Sequence, residues 1–286
     1  DGRIDSLRPS RLDSKKMFTH GEMKINFDKG TVLYVKDLAM LDIIRTNNWR
    51  KPLYFIISVP GSNRTNLTQH LVLEGFSFRI NERKAEQVAA TDSNVVFLPY
   101  PYDSTGINVQ RTWELLTEQY DYTSFFRPGT SGESENRITV KRFSQPAARL
   151  EGAMEILGHN DKAIELLELA SRFYMEPNRY ASNIAFLHAR SGRYAEAIAV
   201  FDSLAAAMTT DALIQRYYQV ASIAATENRD YDNSLEILHS SLALDPSARK
   251  TYANIFILLN RLQRREEAIE LMQTYLDRFP ADTTVA

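Results

Sequence analysis

The chain has 286 residues, 44% hydrophobic and 24% charged, which is enough to bury a core and about two domains by length. A net charge of −2 offers no basic field for nucleic acid, and zero cysteines exclude disulfides, zinc–thiolate sites and thiol chemistry. The longest apolar run, Leu53 to Ile57, is far short of the ~18 residues of a membrane helix, so the chain reads as soluble.

Residues 1–143 are expected to form a small α/β domain. Asp37 is placed to cap a helix of Leu38, Leu41 and Ile44. Pro52 then forces an extended start, and Leu53 to Val59 reads as a buried strand. Thr65 or Asn66 would cap a short helix from Leu67 to Glu74. Gly75 stops it, and Phe76 to Ile80 alternates as a half-buried strand. Asn94 to Leu98 reads as another strand and Val109 to Tyr120 as a helix, with the least structured stretch and linker over about 128–143. The net charge is +3 over residues 1–143 (20 basic, 17 acidic) and −5 over 144–286 (14 basic, 19 acidic).

The second half repeats. Ala163, Ala197, Ser234 and Ala268 open matching apolar stretches at intervals of 34, 37 and 34 residues, and Pro246 and Pro280 each follow their small residue by twelve. Apolar residues at helical spacing, such as Ala163, Ile164 and Leu167, give each unit a second helix, and Gly158 and Gly192 mark the turn before it. This pattern resembles the tetratricopeptide repeat family and implies four helical hairpins over 144–286, an α–α superhelix. The fold expected overall is therefore α+β. The first hairpin is expected to pack against the N-terminal half.

A second resemblance lies in Lys36 to Ile44, Asn47 to Phe55 and Leu71 to Arg79. These runs are similar to the soluble C-terminal region of bacterial multi-pass membrane proteins related to protein O-mannosyltransferases. The resemblance implies an upstream membrane domain of the same protein as a partner and an extracytoplasmic, periplasmic-side location. It also implies no catalytic residue in this segment, because that family's catalytic apparatus is expected upstream.

No cofactor or metal site is expected. The five histidines are scattered, and Asp230-Tyr-Asp232 falls in an inter-helix turn where acidic residues cap helices. Tetratricopeptide first helices turn a polar face inward. By helical spacing that concave face presents Arg149, Arg179, Asn183, Arg190, Arg216, Gln219, Lys250, Asn254 and Arg261, suited to a protein or peptide partner. The alternative is an enzyme or sugar-binding site in the N-terminal half, with Tyr54, Arg64, Tyr100 and Tyr102 lining a ligand cleft.

Overall fold

The computed structural model describes residues 9–99, 104–123, 142–174, 176 and 178–280. Tyr100, Tyr102 and most of the expected 128–143 linker lie outside them. Contacts divide the chain into two compact units between Met175 and Glu176.

Two antiparallel ribbons open the first unit. Strand β1 (Ser10–Arg11) pairs with β4 (Val32–Leu33), and β2 (Lys16–His20) pairs with β3 (Met23–Phe27). In β3 the residues Met23, Ile25 and Phe27 are buried while Lys24 and Asn26 face out, the period of two of a one-sided strand. Helix α1 (Val35–Asn47) follows, and its N-cap is Tyr34 rather than Asp37. Asp37 sits at the third helical position, where its carboxylate turns back to accept the Tyr34 amide at 2.9 Å and the Thr65 hydroxyl at 2.9 Å.

The main sheet holds β5 (Leu53–Ile56), β6 (Leu71–Glu74), β7 (Ser77–Ile80), β8 (Val95–Leu98) and β9 (Thr105–Asn108) in the order β5-β7-β6-β9-β8. Every neighbouring pair is antiparallel except β6 with β9, which is parallel. The expected buried strand at 53–59 is shorter and lies at the edge, so Tyr54 and Ile56 stay 46% and 58% exposed. The expected helix at 67–74 is instead a 3-10 turn, Thr68–His70, leading into β6. Leu71, Val72 and Leu73 are 0%, 2% and 0% exposed there, because a strand with a neighbour on each side and both faces covered takes a continuous apolar run. Gly75 turns β6 into β7 at φ 60, and a side chain there would press on the Tyr120 hydroxyl at 2.5 Å and Leu115 at 2.8 Å.

Short helix α2 (Ala85–Ala89) packs on β8 and β9, and α3 (Val109–Trp113) continues as a π-helical segment to Gln119. The first hairpin, α4 (Ser144–Ile156) and α5 (Asn160–Tyr174), belongs to this unit, with α4 packed on α3, β8 and β9. An aromatic cluster ties α5 in. Phe173 meets Tyr122 edge-on at 5.0 Å, Phe143 meets Phe76 at 4.6 Å, and Phe76 stacks on Tyr120 at 4.8 Å. The compact boundary thus falls one hairpin later than residue 143.

The second unit is all helical among the described residues. It comprises α6 (Ala181–Arg190), α7 (Tyr194–Ser203), α8 (Thr210–Thr226), α9 (Tyr231–Leu244), α10 (Arg249–Arg261) and α11 (Arg265–Arg278). Consecutive helices pair, and each pair packs on the next. One core threads them, with Ala185, Ala197, Phe201, Val220, Ala224 and Ile255 each 0% exposed. With the first unit this gives an α+β chain, β-rich at its start and helical at its end.

The backbone repeats with the sequence. Gly158, Gly192, Arg229 and Gln263 all adopt positive φ, at 75, 75, 57 and 60°. Each stands five residues before its small residue (Ala163, Ala197, Ser234 and Ala268). The next amide then closes the turn onto the preceding helix, as His159 to Met154 O (2.8 Å), Arg193 to His188 O (2.9 Å) and Arg264 to Leu259 O (2.9 Å). Asp230 caps α9 by accepting the Asn233 amide at 3.2 Å, and Asp232 pairs with Arg264 at 2.9 Å.

Candidate binding surfaces

In the second unit α8, α9 and α10 enclose an open cavity of about 220 Å³. Small side chains make the space: Ala221, Ser222, Ala225 and Ser234 line it, with Tyr218 and Asn254 as its larger polar walls. The Tyr218 hydroxyl is fixed by a 2.6 Å hydrogen bond with Thr251, which braces α8 against α10. Ser234 donates to the Ala221 carbonyl at 2.9 Å, so that wall is satisfied internally. A second cavity of about 210 Å³ lies between α10 and α11, walled by Tyr252, Phe256, Leu271, Met272 and Tyr275. Ile257 borders both cavities and is 62% exposed.

The residues expected on the concave face divide by place. Asn254 lines the first cavity, and the Lys250 ammonium stands 5.4 Å over the ring of Tyr218, another of its walls. Arg216 is half-buried, with its guanidinium 6.0 Å from Phe186 and 5.9 Å from Phe201, and it donates to Gln219 at 3.0 Å. Arg261 covers Tyr231 at 4.6 Å. Arg190 pairs with Glu227 at 3.2 Å and Arg179 with Glu176 at 3.8 Å, both near helix ends, and Asn183 is exposed. Arg149 departs from the expectation: it lies in the first unit, donating to the Thr105 hydroxyl at 2.9 Å and stacking 5.5 Å from Phe78. It helps hold α4 on the sheet, against which that helix packs.

The two described members of the N-terminal ligand set, Tyr54 and Arg64, do not converge. Tyr54 lies on the face of the sheet that carries Arg79, and its hydroxyl donates to Glu74 at 2.9 Å. Burial, then the Glu74 carboxylate, raises the phenol pKa, so Tyr54 stays a neutral donor. Arg64 belongs to the opposite face, only 7% exposed, stacked 4.6 Å from Phe78 and donating twice to the Val59 carbonyl at 3.1 and 2.9 Å. A guanidinium spent this way closes the Val59–Leu67 loop instead of meeting a ligand.

One buried titratable group stands out. His70 is 3% exposed, its Nδ1 is 3.2 Å from the Asn81 carbonyl, and burial first lowers its pKa below 6.5. Folded His70 therefore binds fewer protons than the unfolded residue, so its contribution to stability is complete above about pH 6.5 and is lost as pH falls through the folded pKa. The denaturation midpoint should fall between about pH 7 and 5, and the fall should be smaller in His70→Gln. An equal fall in both proteins would remove His70 as the cause.

Comparison with known proteins gives three findings. No curated protein matches the chain. Among solved structures, one described as "MamA RS-1 ArsTM double mutant" is similar at 17% identity and a TM-score of 0.30, covering 51% of this chain and 86% of that one. In the family comparison, residues 9–96 match the TMEM260-related family described as TMEM260-associated domain 2.

Proposed function

We propose that this chain is a non-catalytic interaction module whose second unit holds a peptide segment of a protein partner in the cavity between α8, α9 and α10. The observation that carries the reading is that cavity itself, with its small-residue floor, one apolar wall at Ile257 and Leu258, and hydrogen-bonding groups at Asn254 and Thr226. An aliphatic side chain fits the floor, the Asn254 amide can bridge a peptide backbone, and Lys250 at the rim favours an acidic neighbour. The residue spacing of 34, 37 and 34 favours reading the hairpins as tetratricopeptide-like.

The wider setting is part of the same proposal. The chain is the extramembrane portion of a glycosyltransferase-like membrane protein, facing the extracytoplasmic side, with its upstream membrane domain as a second partner. The match of residues 9–96 to a TMEM260-related family supports a membrane-protein origin. Among the described residues no helix is long and apolar enough to cross a membrane, so a tether would come from elsewhere in the protein.

Selection of a displayed random-peptide library on the full chain tests the groove. Ligands should share an aliphatic residue beside an acidic one. Ser222→Trp, which fills the cavity from an exposed position, should weaken them at least tenfold, and Lys250→Glu should weaken the acidic ones selectively. Absence of a consensus, or ligands indifferent to Ser222→Trp, would refute the reading.

A further inference from the structure

The first unit contains the largest cavity described so far, and neither the repeat pattern nor the family match assigns it a role. Its volume is about 440 Å³, and it opens between two loops, one bearing Trp49, Arg50 and Lys51 and the other bearing Glu82 and Arg83, with Arg79 beside them. Antiparallel pairing of Leu53 with Ile80 brings the two loops together, setting the residues before β5 beside those after β7. We propose that this cleft binds a small phosphorylated ligand with a hydroxyl-bearing body, of the sugar phosphate class.

Charge is the first argument. Four cations contribute to the walls, and among the described residues only Arg79 has a carboxylate partner, Glu74 at 3.6 Å. Arg50, Lys51 and Arg83 make no ion pair among the described residues. With the Arg79–Glu74 pair neutral and Glu82 set against three cations, the wall keeps an excess of two positive charges. That excess raises the local concentration of anions, and arginine forks match the paired oxygens of a phosphate. The one carboxylate in the wall, Glu82, is already engaged: it accepts the Glu22 amide from the β2–β3 turn at 2.8 Å.

Unmet polar groups behind the Trp49 wall are the second argument. Asn48 and Trp49 follow α1 at φ 47 and 58°, a left-handed pair that is rare for a bulky aromatic. This conformation sets the indole beside His20, with ring centroids 5.8 Å apart. Trp49 lines the cleft and His20 stands behind it, and Trp49 Nε1 and His20 Nε2 are both buried without a hydrogen-bond partner among the described residues. Unmet donors and acceptors of this kind are few in folded proteins and each is costly. Gly21, at φ 57, seals that side, since any side chain there would collide with the Glu82 carboxylate and reach within 3.5 Å of Trp49 Nε1.

Size is the third argument. A cleft of about 440 Å³ lies within the usual range of small-molecule sites and exceeds what a bare phosphate fills, which leaves room for a ring with hydroxyls.

The chain has two tryptophans, so the full chain carrying Trp113→Phe reports on Trp49 alone. Its emission should change saturably with glucose 1-phosphate or with vesicles containing phosphatidic acid, and should not change with glucose. The responding probe tells whether the phosphate is soluble or lipid-borne. Binding should weaken at least tenfold in Arg50→Ala/Arg83→Ala and fall as salt is raised. Lys51→Glu, at an exposed position, repeats the test should the double variant fold poorly. Silence toward both anionic probes, an equal response to glucose, or affinity unmoved by both variants would overturn the proposal. None of these outcomes touches the peptide groove, which lies in the other unit.

Discussion

Phe201→Ala is expected to destabilise the second unit by about 3–5 kcal/mol, the cost of an aromatic-sized void in a packed core. Phe201 is 0% exposed and sits beside Ala197, also 0%, where the helices of the α6–α7 hairpin cross. Its ring lies 5.6 Å from Phe186, and the Arg216 guanidinium covers it at 5.9 Å, so the void would be lined by groups from three helices that cannot all move inward. A loss of this size is a large share of the ~5–15 kcal/mol that holds a domain folded. Hydrogen exchange on the full chain locates it: amides of α6 to α11 should lose protection, and those of β5 to β9 should keep theirs. Uniform retention of protection would show that Phe201 is not a keystone of this core.

Phe173→Ala should cost a similar ~3–5 kcal/mol, but in the first unit. Phe173 projects from α5, is 0% exposed and packs edge-on against Tyr122 at 5.0 Å, beside Phe143 at 6.3 Å. Through Phe143 and Phe76 the cluster reaches the turn that precedes β7. The substitution should therefore lower exchange protection in the sheet as well as in α4 and α5. Loss confined to the hairpin would mean that α4 and α5 are carried by the sheet without contributing to it.

The helical half was legible because its signals are local and redundant. Small residues at intervals of 34, 37 and 34, apolar faces at 3.6 spacing and proline after three of the four second helices all point the same way. Even so, glycine marked only two of the four left-handed turns, since Arg229 and Gln263 occupy the other two. The sheet was harder. Leu67, Leu71 and Glu74 satisfy a helical period, and only the central position of β6 between β7 and β9 makes Leu71-Val72-Leu73 a strand. The β2–β3 ribbon did carry a readable signal, the strict alternation Met23-Lys24-Ile25-Asn26-Phe27 after Gly21.

The binding residues divided along the same line. Asn254 and Lys250 follow from helical spacing; Asn254 lines one cavity, and Lys250 stands over the ring of Tyr218, another of its walls. Arg64 and Arg149 looked like free cations, yet both are spent on the ring of Phe78, because a sequence shows charge and not the burial of the aliphatic stem beneath it. The Trp49 cleft stayed hidden for a third reason. Its walls come from residues 49–52 and 79–83, joined only by strand pairing that no local pattern announces.

The parallel pairing of β6 with β9 carries a lesson about where this fold begins and ends. The stretch that matches the TMEM260-associated domain stops at residue 96, inside β8, whereas β6 has β9 at residues 105–108 on its far side. The matched segment and the hydrogen-bonded sheet thus have different borders. Taken alone, residues 9–96 would leave one edge of β6 as a row of open backbone groups, and β9 is the strand that covers it.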